Sequence, residues 1–223
     1  GWSKNDLALL YQQMNRYKEA RDLFEALVAL SKELYKTENH PTVATAISNL
    51  GDLYKEMGEY KKAEECYRGA LKILESILPK GHSDISNLLN ALGWMFIDKT
   101  GEPSKALPIL RKAVSMEEKT LGSVHPRLGH TIDSLASALR DLGQFEESEK
   151  LYLRALGIWL VKKGSDNRDQ KETLGNIALL YKKMGRQSDA ADYLEKAIRM
   201  ISLVNGPGDI SIERLRTRFE AIH

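Results

Sequence analysis

The side chains with the chemistry for catalysis or metal binding are few, and their spacing argues against both. His130, Asp133 and Ser134 are the residue types of a nucleophilic triad, but they fall within five positions on what reads as a single helix. No glycine-rich elbow or oxyanion donor accompanies them, so ordinary helix-face polarity is the better reading. His40, His82 and His125 stand a whole helix pair apart. Helix axes alone are ~8–10 Å apart, which precludes a shared zinc at ~2.0–2.1 Å per ligand. These histidines are expected to start helices. Cys66 is the only cysteine, so it can form no internal disulfide; it precedes an aromatic residue and is expected to pack between helices. Gly206-Pro207-Gly208 is a turn without the lysine of a phosphate loop. The expectation is no enzyme, no cofactor and no metal.

The elements that position these residues repeat. Asn49 to Leu78 reads as two amphipathic helices joined by a tight turn at Gly58, with fixed points Leu50, Gly51, Tyr54, Ala63, Tyr67 and Ala70. The same points recur as Leu7, Ala8, Tyr11, Ala20, Phe24 and Leu27, and again as Leu92, Gly93, Phe96, Ala106, Leu110 and Ala113. Two more sets are Leu135, Ala136, Leu139, Ser148, Tyr152 and Ala155, and Ile177, Ala178, Tyr181, Ala190, Leu194 and Ala197. Ala20, Ala63, Ala106, Ser148 and Ala190 mark a period of 42 or 43 residues, the signature of a repeat array. Five tandem repeats are expected over about 1–38, 39–81, 82–124, 125–165 and 166–200, followed by a turn and a capping helix within 201–223.

Local signals place the boundaries. Asn39-His40-Pro41 and His125-Pro126 open repeats two and four, since proline suits the first helical position. Repeat three opens near Ser83, carries one extra turn residue before Gly101, and starts its second helix at Pro103. Repeat five opens in the polar run 164–169, turns at Gly185 and ends near Ile201; Ile210–Ile222 reads as the last helix. Helix A of the first repeat looks cut short, which reads as a fragment of a longer array with Gly1–Ser3 a remnant. Lys and Arg total 33 against 31 Asp and Glu, with the signs interspersed. That balance argues against a nucleic-acid stripe and a polybasic membrane patch. No apolar run nears the ~20 residues of a spanning helix, and the N-terminus lacks a signal-peptide layout. A cytoplasmic location is expected.

The small, aromatic, alanine, aromatic, alanine order of the fixed points resembles the tetratricopeptide repeat. The longer unit, with LG.LY..MG.Y..AE..Y..AL in repeat two and His-Pro at repeat starts, is similar to the kinesin-light-chain and nephrocystin-3 type. Departures are Leu27 and Ser148 for alanine, Pro103 for tyrosine, and Asn167-Arg168 for His-Pro. The resemblance implies an all-α solenoid, a right-handed superhelix of helix–turn–helix repeats, whose first helices line a concave groove for extended or helical peptides. Residues opposite the apolar stripe would face it: Thr45, Asn49, Asp52 and Lys55; Asn87, Asn90 and Trp94; His130, Ser134 and Arg140; and Asn176, Leu179 and Lys182.

A ladder of carboxamides (Asn5, Asn49, Asn90, Asn176) would grip a peptide backbone without reading its sequence. Trp94 would be an interface anchor, or would pack against the neighbouring first helix. Arg140, Lys55, Lys182 and Lys183 offer a weak positive lane, diluted by Asp52, Glu56, Asp98 and Asp141. Positions that clamp a C-terminal carboxylate in a relative of this fold include Asn5, Leu9, Asn49, Asn87 and Ala91, without the basic residues, which argues against chaperone tails. The expected function is a non-catalytic scaffold that binds a protein or peptide partner. The alternative is a structural or regulatory array that self-associates or contacts another domain of its own chain.

Overall fold

A histidine starts the first helix in three of the repeats. In the computed structural model, His40, His82 and His125 are the N-caps of the helices Pro41–Glu56 (α3), Ser83–Asp98 (α5) and Pro126–Asp141 (α7). Each ring Nδ1 accepts the backbone N–H two residues on, at 3.2 Å from Thr42, 3.3 Å from Asp84 and 3.2 Å from Arg127. An otherwise orphaned helix donor is thereby satisfied. The cap of repeat three is therefore His82, and Ser83, expected there, is the first helical residue.

The described residues are 3–161 and 167–220, with backbone alone at 160, 161, 167, 168, 203–205, 211 and 218. The remaining helices are Lys4–Gln13 (α1), Tyr17–Tyr35 (α2), Tyr60–Ile77 (α4), Pro103–Leu121 (α6), Phe145–Val161 (α8), Asn167–Lys183 (α9), Gln187–Asn205 (α10) and Ile210–Glu220 (α11). The helices pack in sequential pairs. Two compact units form, Gly1–Glu102 and Pro103–His223. In the first, α1 pairs with α2 and α3 with α4, while α2 packs on α3 and α4 on α5. In the second, α6 packs on α7, α7 pairs with α8, α8 packs on α9, α9 pairs with α10, and α11 lies against α9 and α10. Helix α10 runs to Asn205, beyond the end expected near Ile201. The expected last helix extends into 221–223, outside the described residues.

A left-handed residue lies in the turn after the first helix of each repeat. Gly58 has φ +78°, its N–H bonds to the Lys55 carbonyl, and the Glu59 N–H bonds to Tyr54, the two bonds of a Schellman cap. In the first repeat Asn15 takes this place at φ 58°, tolerable for a short polar side chain.

Of the thirty fixed points, all but Leu7, Tyr11, Leu27, Leu50 and Leu194 are buried. Four of the five exceptions lie in the first two repeats, and Tyr11, Leu27 and Leu50 among them pack, partly buried, against the core of Ala8, Ala20, Phe24 and Leu53. Close approach explains the small residues. A Cβ on Gly51 would lie 3.1 Å from the Tyr67 ring and from Cys66 Cβ. Cys66 is half-buried at this helix interface, as expected, and burial pushes its thiol up to about 11. Ser148, in place of alanine, is fully buried because its Oγ donates to the Ala136 carbonyl at 2.7 Å.

Candidate partner-binding face

In the first unit, Gly51 lets the Tyr67 ring pass close beside α3, so the hydroxyl reaches the opposite side and donates to Asp52 Oδ1 at 2.6 Å. Burial, then this carboxylate, drive the Tyr67 hydroxyl well above the ordinary phenol range. Lys55 Nζ donates to the same oxygen at 2.6 Å. Asn49 Nδ2 donates to Asn5 Oδ1 at 3.0 Å and ties α3 to α1. Beyond these contacts a cleft of about 310 Å³ opens between α3 and α5. Ala44, Tyr67, Leu74, Leu88 and Ala91 give it apolar surface, and Thr45, Ser48, Asp52, Asp84 and Asn87 give it polar groups. Thr45 and Ser48 turn their hydroxyls onto the Pro41 and Thr45 carbonyls. Asn90 is half-buried, and Trp94 on α5 is 42% exposed.

Three of the expected residues, Thr45, Asp52 and Asn87, therefore meet around one cleft. Sequence reasoning missed Ser48, Leu74, Asp84, Leu88 and Ala91. The available signal was the short side chain at 48 and at 91, on facing first helices.

In the second unit, equivalent positions close on one another. Asn176 Nδ2 donates to Asp133 Oδ2 at 2.8 Å, and Lys183 Nζ to Asp141 Oδ1 at 2.9 Å, both from α9 to α7. Arg140 is buried: its Nε and Nη2 donate to the two oxygens of Asp141, and Nη1 to the Tyr152 hydroxyl at 3.2 Å. Ser137 Oγ lies 2.8 Å from that hydroxyl. Thr173 Oγ1 accepts the Trp159 indole N–H at 3.1 Å. Burial pushes the Asp133 carboxyl up to about 6, against the pull of its bonds to Thr173 and Asn176 and of the Arg140 charge. Asp141 instead stays below the usual range: burial pushes it up, but Arg140 and Lys183 more than offset that.

His130 is exposed, tilted against Trp159 at 4.9 Å, with Nε2 at 3.5 Å from Asp169. Ser134 Oγ donates to the His130 carbonyl at 3.0 Å. His130, Asp133 and Ser134 thus point to three different partners, and no nucleophile–base contact joins them. Leu179 is buried, at 2% exposure, on the helix α11 packs against. Lys182 Nζ donates to the Phe219 carbonyl and lies over the Phe219 ring. Each cation of the expected positive lane (Lys55, Arg140, Lys182, Lys183) already has an intramolecular acceptor. Among the described residues, no three of His, Cys, Asp or Glu are grouped to hold a metal. No helix among them is long and apolar enough to cross a membrane.

A family description, Tetratricopeptide repeat, matches residues 1–76, 42–119 and 129–201. Two relatives are 23% identical over 207 residues: the RxLR effector protein SFI4 of Phytophthora infestans and the Secreted RxLR effector protein RXLR-C07 of Plasmopara halstedii. The match takes in 92% of this chain but 60% and 62% of those proteins. The fold is similar to that of kinesin-light-chain, nearly identical TPR-like repeats from Podosopora anserina, with a TM-score of 0.76 at 23% identity over 91% of this chain and 95% of that one. It is also similar to a Rap protein solved in complex with Competence and Sporulation Factor, with a TM-score of 0.67 at 14% identity over 96% of this chain and 63% of that one. Matched by the repeat over most of its length, and built of sequentially paired helices, the chain belongs to the tetratricopeptide-repeat family.

Proposed function

We propose that the chain is a non-catalytic adaptor whose first-helix face receives a segment of a partner protein, and that this segment takes hold at the α3–α5 cleft. The observation that carries this reading is the cleft of about 310 Å³. It combines apolar surface, for affinity, with a few polar groups that fix orientation, the usual composition of a recognition site. Thr45, Asp52 and Asn87 contact the segment directly. Asn49 and Lys55 border it, and Asn90 and the exposed Trp94 extend it along α5. In the second unit, taken by itself, His130 is exposed and Ser134 half-exposed, while Arg140, Asn176, Leu179 and Lys182 act in packing. Repeat proteins of this family generally bind other proteins, and the Rap structure with its bound factor has the same fold. The proposed location is cytoplasmic; the relative named as secreted supplies the competing one.

A peptide-array screen tests the reading, with the Ala91→Trp variant beside the wild type. An indole at 91 fills the cleft. Enrichment of one motif by the wild type, lost in Ala91→Trp at unchanged helicity, is the expected result. Equal enrichment by both would move the site elsewhere.

A second reading, self-association or contact with another part of a longer chain, draws on exposed apolar residues of the first helix pair. Leu9, Leu10 and Met14 on or just after α1, and Leu30 and Leu34 on α2, are exposed. Concentration-dependent mass in solution scattering, abolished by Leu10→Glu with Leu34→Glu, would favour it.

A further inference from the structure

We infer that the α3–α5 cleft selects a cationic side chain, so that the partner segment presents an arginine or lysine there. This rests on the peptide-binding reading and gives it a chemical class. Two features of the cleft converge on such an occupant. Its only ionisable groups apart from the Tyr67 phenol are two carboxylates, Asp52 and Asp84, and no lysine or arginine lines it. Its apolar surface, Leu74 and Leu88 with the Tyr67 ring, matches the aliphatic stem of a long basic side chain, which buries its methylenes while the charged head meets acceptors. An acidic side chain would meet like charge with no compensating cation in the cleft. A neutral one would add no counter-charge as the carboxylates lose water, leaving Asp52 with Lys55 alone and Asp84 with no cation lining the cleft.

The protein itself shows how the site treats a cation. Lys55 reaches Asp52 from outside the cleft, one turn along α3, and its Nζ sits 2.6 Å from Oδ1. The pair is half exposed, with 27% of the lysine side chain and 45% of the aspartate side chain accessible. Such a pair contributes little to stability and is readily exchanged. Lys55 is thus an internal competitor. Removing it should strengthen binding of a basic segment, whereas a Lys55 that itself contacted an acidic segment would weaken binding when removed. The two readings predict opposite signs.

The test uses the 223-residue chain and a library of random ten-residue peptides in which one central position is fixed as Arg, Lys, Gln or Glu. Wild type should enrich the Arg and Lys sub-libraries at least tenfold over Glu. With an enriched peptide, Asp52→Asn with Asp84→Asn should weaken binding about tenfold at unchanged melting temperature, and Lys55→Ala should tighten it several-fold. Both changes should fade at high salt. Enrichment of Gln or Glu peptides, or a Lys55→Ala variant that binds less tightly, would overturn the cationic assignment while leaving the cleft as a peptide site. No enrichment from any sub-library, or enrichment equal in Ala91→Trp, would overturn both.

Discussion

Between α3 and α5 the polar side chains of neighbouring repeats stand apart around a cleft, whereas between α7 and α9 they meet across a seam. The two places are built from the same repeat, and two positions account for much of the difference. Counted from the small residue of each first helix, Ser48 corresponds to Asp133 and Ala91 to Asn176. Asp133 and Asn176 are long enough to bond at 2.8 Å. A serine and an alanine cannot reach one another, and both line the cleft. Two turns further on, Lys55 lies half exposed on Asp52, while its counterpart Arg140 is buried among Asp141 and Tyr152. The same register therefore serves as a surface in one unit and as an interior in the other. Short side chains keep it open.

The largest effect that would sharpen this contrast is Arg140→Ala. Removing a buried arginine leaves the Asp141 carboxylate with Lys183 alone and the Tyr152 hydroxyl with Ser137 alone, and about 3 kcal/mol of stability should be lost in denaturant unfolding. A loss as small as that of an exposed pair, ~0–1 kcal/mol, would show that the seam is not an interior.

Next comes Gly129→Ala. The added Cβ would lie 2.6 Å from the Trp159 ring, which is buried and held by its bond to Thr173. Overpacking of this kind costs ~1–3 kcal/mol, readable as a lowered melting temperature with a shift in tryptophan fluorescence.

Asp133 makes the seam pH-dependent. Its carboxyl is raised in the folded chain from 3.8 to about 6, so the folded state holds that proton over a window in which the unfolded chain has released it. Stability from this group is fully present below about pH 3.8 and is lost as pH rises through about 6. Asp133→Asn should match wild type near pH 4 and exceed it by roughly 3 kcal/mol at pH 7. A variant less stable at both pH values would mean that the charged carboxylate is needed.

The smallest change in stability should come from transplanting the seam. Ser48→Asp with Ala91→Asn places a bonding pair across the cleft, worth ~0.5–1.5 kcal/mol if it forms. Its value lies in the accompanying loss of peptide binding. Binding that survives a newly formed bond would separate the cleft from function.

Much of this was legible in the sequence. Spacing alone gives the helix pairs, the left-handed turn residues and the extra residue of repeat three, because these depend on local backbone chemistry and on a 3.6-residue period. The histidine caps are legible for the same reason, although at repeat three the hydroxyl of Ser83 looks like the better cap than the ring beside it. What spacing cannot give is the distance between consecutive repeats. Asn176, Arg140 and Leu179 fall on the expected groove face, yet they are buried because α7 and α9 approach closely and α11 packs against α9. The asparagines read as a peptide-gripping ladder make bonds between repeats, Asn49 to Asn5 and Asn176 to Asp133. Glu117 gives no signal at all, though it is buried and bonded to Thr131 and Arg127. Tertiary proximity decides these cases, and a one-dimensional pattern does not carry it.

The most direct test is a methyl NMR titration of the chain with one peptide enriched in the library screen. The account predicts shifts concentrated at the Ala44, Leu74, Leu88 and Ala91 methyls, with Leu135, Ala136 and Ala138 of α7 unmoved. Shifts centred on the α7 methyls, with the α3–α5 set silent, would contradict it.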